Sequence, residues 1–138
     1  KFKTKFIFPV HPRTNKILMK LKLKKCKFIT FIQPLDFLDF LFLIKNSKIV
    51  LTDSGGIQEE TSLIGVPCIT LRTSTERQIS LKEKTNILTG YNYQKINKAI
   101  TYFLSKKIKP SKAFGDGNVA KRIVKLINQI DNNSSKMK

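Results

Sequence analysis

The stretch VLTDSGGIQEETSLIGVPCITL, Val50 to Leu71, decides the fold. The apolar run KIVLT, Lys48 to Thr52, reads as a strand. GIQEETSLIG then fits a helix from about Gly56 to Ile64, closed by Gly65. PCITL reads as the next strand. Strand, glycine turn, helix and strand in so short a span predict one unit of a parallel sheet. The stretch also holds Asp53, Glu59 and Glu60, three of only 9 acidic residues in a chain of net charge +18.

The same alternation extends in both directions. Upstream, FIFPV (Phe6–Val10) reads as a buried strand ended by HPRT, with a helix beginning near Pro12. ILMKLKL continues that basic helix, and FITFI (Phe28–Ile32) reads as a strand. PLDFLDFLFLIKNS places apolar residues at near-helical spacing. Downstream, RTSTERQISLKEK predicts a loop and a helix, and NILTG a short strand. YQKINKAITYFLSKK predicts an amphipathic helix with Ile96, Ile100, Phe103 and Leu104 on one face. A last helix spans GDGNVAKRIVKLINQI, with Val119, Ile123, Leu126, Ile127 and Ile130 inward. The expected architecture is α/β: a Rossmann-like parallel sheet with helices on both faces, in one domain over residues 1–131. Residues 132–138 read as a polar, disordered tail.

The 138 residues carry 27 Lys and Arg, of which only Arg13, Arg72, Arg77 and Arg122 are arginine. So basic a balance points to nucleic acid, a membrane surface or an anionic small molecule. A reader of nucleic acid is expected to use more arginine forks, so the lysines read mainly as a solvated surface. Cys26 and Cys68 have no metal-binding spacing, and with one histidine no zinc site is expected. Both read as reduced, buried thiols of a cytosolic protein. The longest apolar run, Phe37–Ile44, is too short to span a bilayer, and no signal peptide is read. The chain opens on Lys1 and not on methionine, as a fragment would.

Physically, Ser54, Gly55 and Gly56 present free backbone N–H groups where a helix begins, a place that favours an anion. The glycines remove the Cβ atoms that would keep a phosphate away. Glu59 and Glu60 either suit the dipole of the first helical turn or accept hydrogen bonds from sugar hydroxyls. Phe40 is a core residue or a ligand contact, and His11 a loop histidine or a cleft group. Arg77 pairs with Glu76 or Glu83, or meets phosphate. Asp53, Thr75 and Asp116 read as helix caps.

The blocks PVHPRT, LTDSGGIQEE, GVPCITLR, TER, NILTG and FGDGNVAKRIV, from about Lys5 to Ile130, resemble the C-terminal half of the non-hydrolysing UDP-N-acetylglucosamine 2-epimerases. The resemblance implies one half of a GT-B-type two-domain fold with the active site in the cleft. It implies that Ser54, Gly55 and Gly56 bind the diphosphate, that Glu60 holds the ribose hydroxyls and that Arg77 meets the phosphates. His11 matches the cleft histidine and is the one catalytic candidate. Leu35 and Phe40 match the positions that hold uracil. The implied reaction takes UDP-GlcNAc to UDP-ManNAc by elimination and re-addition of UDP, in the cytoplasm, with no cofactor and no metal. The catalytic acids belong to the family's N-terminal domain, so the implied partners are a UDP-sugar and that domain, in cis or in trans. A homodimer of the full-length protein is also implied, and nucleic acid is not.

The sequence departs from the family pattern in two places. Gln78 and Ile79 stand where the family has Pro-Glu, and Ala113 stands where it commonly has Pro. Two other classes stay open: a GT-B-like glycosyltransferase half and a basic nucleic-acid-binding domain.

Overall fold

A computed structural model describes residues 4–21 and 27–135. By their contacts they fall into two compact units, Lys1–Leu43 and Ile44–Lys138. The five strands among the described residues form one sheet of two and one of three.

In the first unit, β1 (Phe6–Pro9) pairs in parallel with β2 (Ile29–Ile32), Phe6 opposite Ile29 and Pro9 opposite Ile32. Between them runs α1 (Pro12–Lys20), with Pro12 in its first turn, where the missing N–H costs no hydrogen bond. β1 is not the buried strand expected: Ile7 is 52% and Phe8 40% exposed. A two-stranded ribbon in so short a unit has too little cover for both faces. Cys26 lies outside the described residues.

The helix α2 (Phe37–Lys45) begins after Asp36, whose carboxylate accepts the Asp39 N–H at 2.9 Å, a cap the sequence pattern did not single out. The division between the units falls within this helix. Phe37, Leu38 and Phe42 are exposed, while Ile44 is buried.

The second unit carries the stretch that opened the sequence. β3 (Val50–Thr52), β4 (Cys68–Thr70) and β5 (Asn86–Leu88) lie side by side in that order, all parallel. Val50 faces Cys68, which faces Asn86. The connections are α3 (Gly55–Ile64) and α4 (Gln78–Lys82), with α5 (Tyr93–Leu104) following. Gly65 ends α3 at φ +84°, and a Cβ there would stand 2.8 Å from the Pro110 ring. Only glycine allows both the left-handed backbone and that approach. Ile69, Cys68, Ile100 and Phe103 form the apolar core. The Cys68 thiol is free, and burial pushes its pKa up to about 11, against the opposing hydrogen bonds of Thr61 and Thr70.

Two expectations for the C-terminal segment change. The last helix, α6 (Val119–Ser135), runs into the segment read as a disordered tail. Its apolar face is not inward: Val119, Ile123, Leu126 and Ile127 are each about half exposed. The face has the right period, but packing requires a surface to receive it, and among the described residues these side chains stay exposed.

Candidate functional site

The turn after β3 lies at the carboxyl end of a parallel strand, where sheets of this kind bind their ligands. Thr52 Oγ1 accepts the Ser54 N–H at 3.1 Å, and Ser54 takes the N-cap position of α3 with extended dihedrals. Its side chain makes no capping hydrogen bond, which leaves the first N–H groups of the helix without a side-chain acceptor. Asp53 is exposed beside the turn and is not the cap.

The two glycines do different things. Neither has a positive φ. A Cβ on Gly55 would lie 3.1 Å from Arg77 Cζ and 3.3 Å from Nη1, so this glycine makes room for a guanidinium. A Cβ on Gly56 would meet only Ser54 Oγ, at 4.0 Å. The sequence pattern assigns room for phosphate to both glycines; around Gly55 that room belongs to Arg77.

Arg77 ends the loop after β4 and is the N-cap residue of α4. Its Nε donates to Glu59 Oε1 at 2.7 Å, and Nη1 reaches Glu76 Oε2 at 3.4 Å. The Glu59 hydrogen bond and charge raise its already high pKa. Of the two acidic partners expected, Glu76 takes part and Glu83 has no ion pair with it. Glu59 is therefore more than a helix acid suited to the dipole. Because α3 begins at Gly55, neither Glu59 nor Glu60 is in the first turn. Glu60 has its pKa raised, first by burial and then by the neighbouring Glu59 charge.

Beneath the turn lies a polar core that sequence reasoning missed. Gln58 is fully buried. Its Nε2 donates to Ser54 O at 3.2 Å, and its Oε1 accepts from Thr75 Oγ1 at 2.7 Å and Asn86 Nδ2 at 3.1 Å. Thr75 Oγ1 also accepts the Arg77 N–H at 3.1 Å, so it bridges to α4 and does not cap it as expected. Asn86 accepts from Thr70 Oγ1 at 2.8 Å and donates to Ser80 Oγ at 3.2 Å. Every buried side-chain polar atom among the described residues has a partner. The signal was present in the sequence: Gln58 stands four residues after Ser54, one helical turn beneath it. Gln78 Nε2, at one of the departures from the family pattern, donates to Thr75 O at 2.6 Å.

Of the remaining candidates, His11, Leu35 and Phe40 belong to the first unit and Asp116 to the second. His11 is the N-cap of α1, its Nδ1 accepting the Arg13 N–H at 3.2 Å, and it is exposed. Leu35 is half-buried just before α2, and Phe40 half-buried in its first turn. Asp116 accepts the Asn118 N–H at 3.0 Å and pairs with Arg122 at 2.9 Å. The Arg122 hydrogen bond is the main reason its pKa is lowered.

A separate hollow of about 560 Å³ opens beside Thr85, at the amino end of β5 and so at the opposite end of the strands from Ser54. Five lysines line it, all exposed. Among the described residues no cluster of His, Cys, Asp and Glu could hold a metal ion, and no helix is long and apolar enough to cross a membrane.

The family profile described as UDP-N-acetylglucosamine 2-epimerase matches residues 1–128. The UDP-N-acetylglucosamine 2-epimerase of Methanocaldococcus jannaschii is 46% identical over 125 residues, covering 88% of this chain and 34% of the relative. That of Methanococcus maripaludis is 40% identical over 131 residues, covering 92% and 36%. The crystal structure of the M. jannaschii enzyme in complex with UDP-GlcNAc and UDP aligns at a TM-score of 0.83 and 44% identity, over 91% of this chain and 36% of that one. The Neisseria meningitidis enzyme bound to UDP-GlcNAc aligns at 0.79 and 32%, over 91% and 36%. The chain thus spans about a third of the length of the relatives it matches. It belongs to the UDP-N-acetylglucosamine 2-epimerase family.

Proposed function

We propose that this chain is the UDP-binding part of a UDP-N-acetylglucosamine 2-epimerase and binds the nucleotide of UDP-GlcNAc at the Ser54–Gly55–Gly56 turn. One observation carries the proposal: α3 opens without a capping side chain and with the Arg77 guanidinium beside its first residue. Helix N–H groups and an arginine together suit a diphosphate. Glu60 takes the ribose hydroxyls, and carboxylates near an anion site are no contradiction when they face the neutral part of the ligand. For the first unit, His11 keeps the role of the cleft histidine near the diphosphate, and Leu35 and Phe40 those of the uracil contacts, as the family pattern implies.

In the reaction, a base removes the C2 proton while the C1–O bond breaks and UDP leaves with the electron pair. UDP then adds back to C1 and a proton returns to the opposite face of C2. The developing charge on UDP needs donors already in place. The turn and Arg77 supply these; the base that takes the C2 proton lies outside this chain. The other partners are the N-terminal domain, in cis or in trans, and a second copy of the full-length protein. The site of action is the cytoplasm, in keeping with a nucleotide-sugar ligand and the free Cys68 thiol.

Calorimetric titration tests the proposal. The 138-residue chain is expected to bind UDP more tightly than uridine and to turn over no UDP-GlcNAc. Equal binding of the two, or epimerase turnover by this chain alone, would overturn it. Affinity for nucleic acid that falls steeply with salt and ignores UDP would favour the basic-domain alternative.

A further inference from the structure

Gln58 and Glu59 are neighbours on α3 that point to opposite sides of one task. Gln58 is fully buried and holds Thr75, whose hydroxyl accepts the Arg77 N–H. Glu59 is part-exposed and accepts from the other end of the same residue, Nε, at 2.7 Å. The helix therefore grips Arg77 twice, once by the backbone and once by the guanidinium.

Glu59 lies four residues after Gly55, so the two share a face of α3 one turn apart. The guanidinium held by Glu59 comes to rest with its Cζ 3.1 Å from where a Gly55 Cβ would stand. Without a counter-charge this would be an unfavourable place for a cation, since the first turn of a helix carries partial positive charge. Among the described residues no protein group accepts from Nη2, which leaves that end of the fork for a ligand.

We infer that Glu59 is a positioning residue: its carboxylate fixes the Arg77 guanidinium against Gly55 at the opening of α3, ready for an anion. Resting on the UDP proposal above, the group so fixed is the one that meets the diphosphate. Glu59 partly neutralises Arg77, so its charge alone would weaken anion binding. Its contribution is orientation, and the two effects have opposite signs in a binding measurement.

Three substitutions separate them. Glu59→Gln keeps an acceptor for Nε and removes the charge; UDP affinity is expected to stay within about threefold of the native chain. Glu59→Ala removes the acceptor, and Glu59→Asp draws it back by one methylene; each is expected to weaken UDP roughly tenfold, the size of a lost hydrogen bond to a charged group. Uridine affinity stays unchanged in all three, and Glu59→Ala adds nothing in an Arg77→Ala background. If the alanine and aspartate variants bind UDP as well as the native chain or better, or lose uridine in parallel, the assignment is wrong. A readout without nucleotide keeps it testable if the UDP proposal fails or a variant does not fold. The Nε–H resonance of Arg77 is expected to be distinct and slow to exchange in the native chain. Finding it indistinguishable from the other arginines there would also overturn the assignment.

Discussion

Gly55 illustrates how one hydrogen atom in place of a methyl group sets a site. Its φ is ordinary, so alanine fits the backbone, and in a helix alanine is favoured over glycine by roughly 0.5–1 kcal/mol. The atoms a new Cβ would meet are the far end of a long side chain, which can move. Gly55→Ala is therefore expected to leave the thermal midpoint unchanged or slightly raised, yet weaken UDP several-fold because Arg77 is displaced. Parallel calorimetry and thermal melts check both halves.

Glu60 carries a similar tension. Its pKa is raised by burial and by Glu59. A carboxyl whose folded pKa exceeds its unfolded value binds protons more readily when folded, so stability falls as pH rises through the interval above the ordinary value of 4.5. Glu60→Gln is expected to raise the melting temperature at pH 7 relative to the native chain, and to lose that advantage below pH 4. Its affinity for UDP should fall about tenfold or more while its affinity for inorganic phosphate does not change.

Among the elements, the joint between α3, α4 and β5 is polar where a core is usually apolar. Gln58→Leu keeps much of the volume but strands the Thr75 hydroxyl and one Asn86 donor in a buried space. The expected cost is on the order of 2–4 kcal/mol, with a fall in midpoint that denaturant unfolding can measure. This joint marks the border of what the sequence discloses. Strand–helix–strand order, Gly65 as the helix stop and the turn between β3 and α3 were all legible, because they follow from period, glycine and apolar runs. The contacts of Gln58 with Thr75, and of Glu59 with Arg77, were not. They join residues 17 and 18 positions apart, and no local pattern encodes which of several acids an arginine will choose. The start of α3 at Gly55 also moved both glutamates out of the first turn, which changed what Glu59 is for.

At the scale of the whole molecule, apolar surface is the dominant fact. On α6, Val119, Ile123, Leu126 and Ile127 recur at helical spacing and are about half exposed. A monomer rarely leaves so regular a stripe in water. The purified chain is expected to associate with rising concentration in sedimentation experiments. Ile123→Glu with Leu126→Glu should reduce that association and leave UDP binding intact. An unchanged sedimentation profile in the double variant would remove α6 as the cause.

The Cys68 thiol gives the middle of the sheet a chemical voice. It is fully buried on the central strand β4 and stays protonated far above neutral pH. Alkylating reagents act on the thiolate, so both burial and protonation silence it while the sheet is closed. In a chain whose Cys26 is replaced by Ser, the labelling rate becomes a clock for opening of the sheet. The clock would slow when nucleotide occupies the turn after the neighbouring strand β3, recording ligand occupancy at a distance through a residue that never touches it.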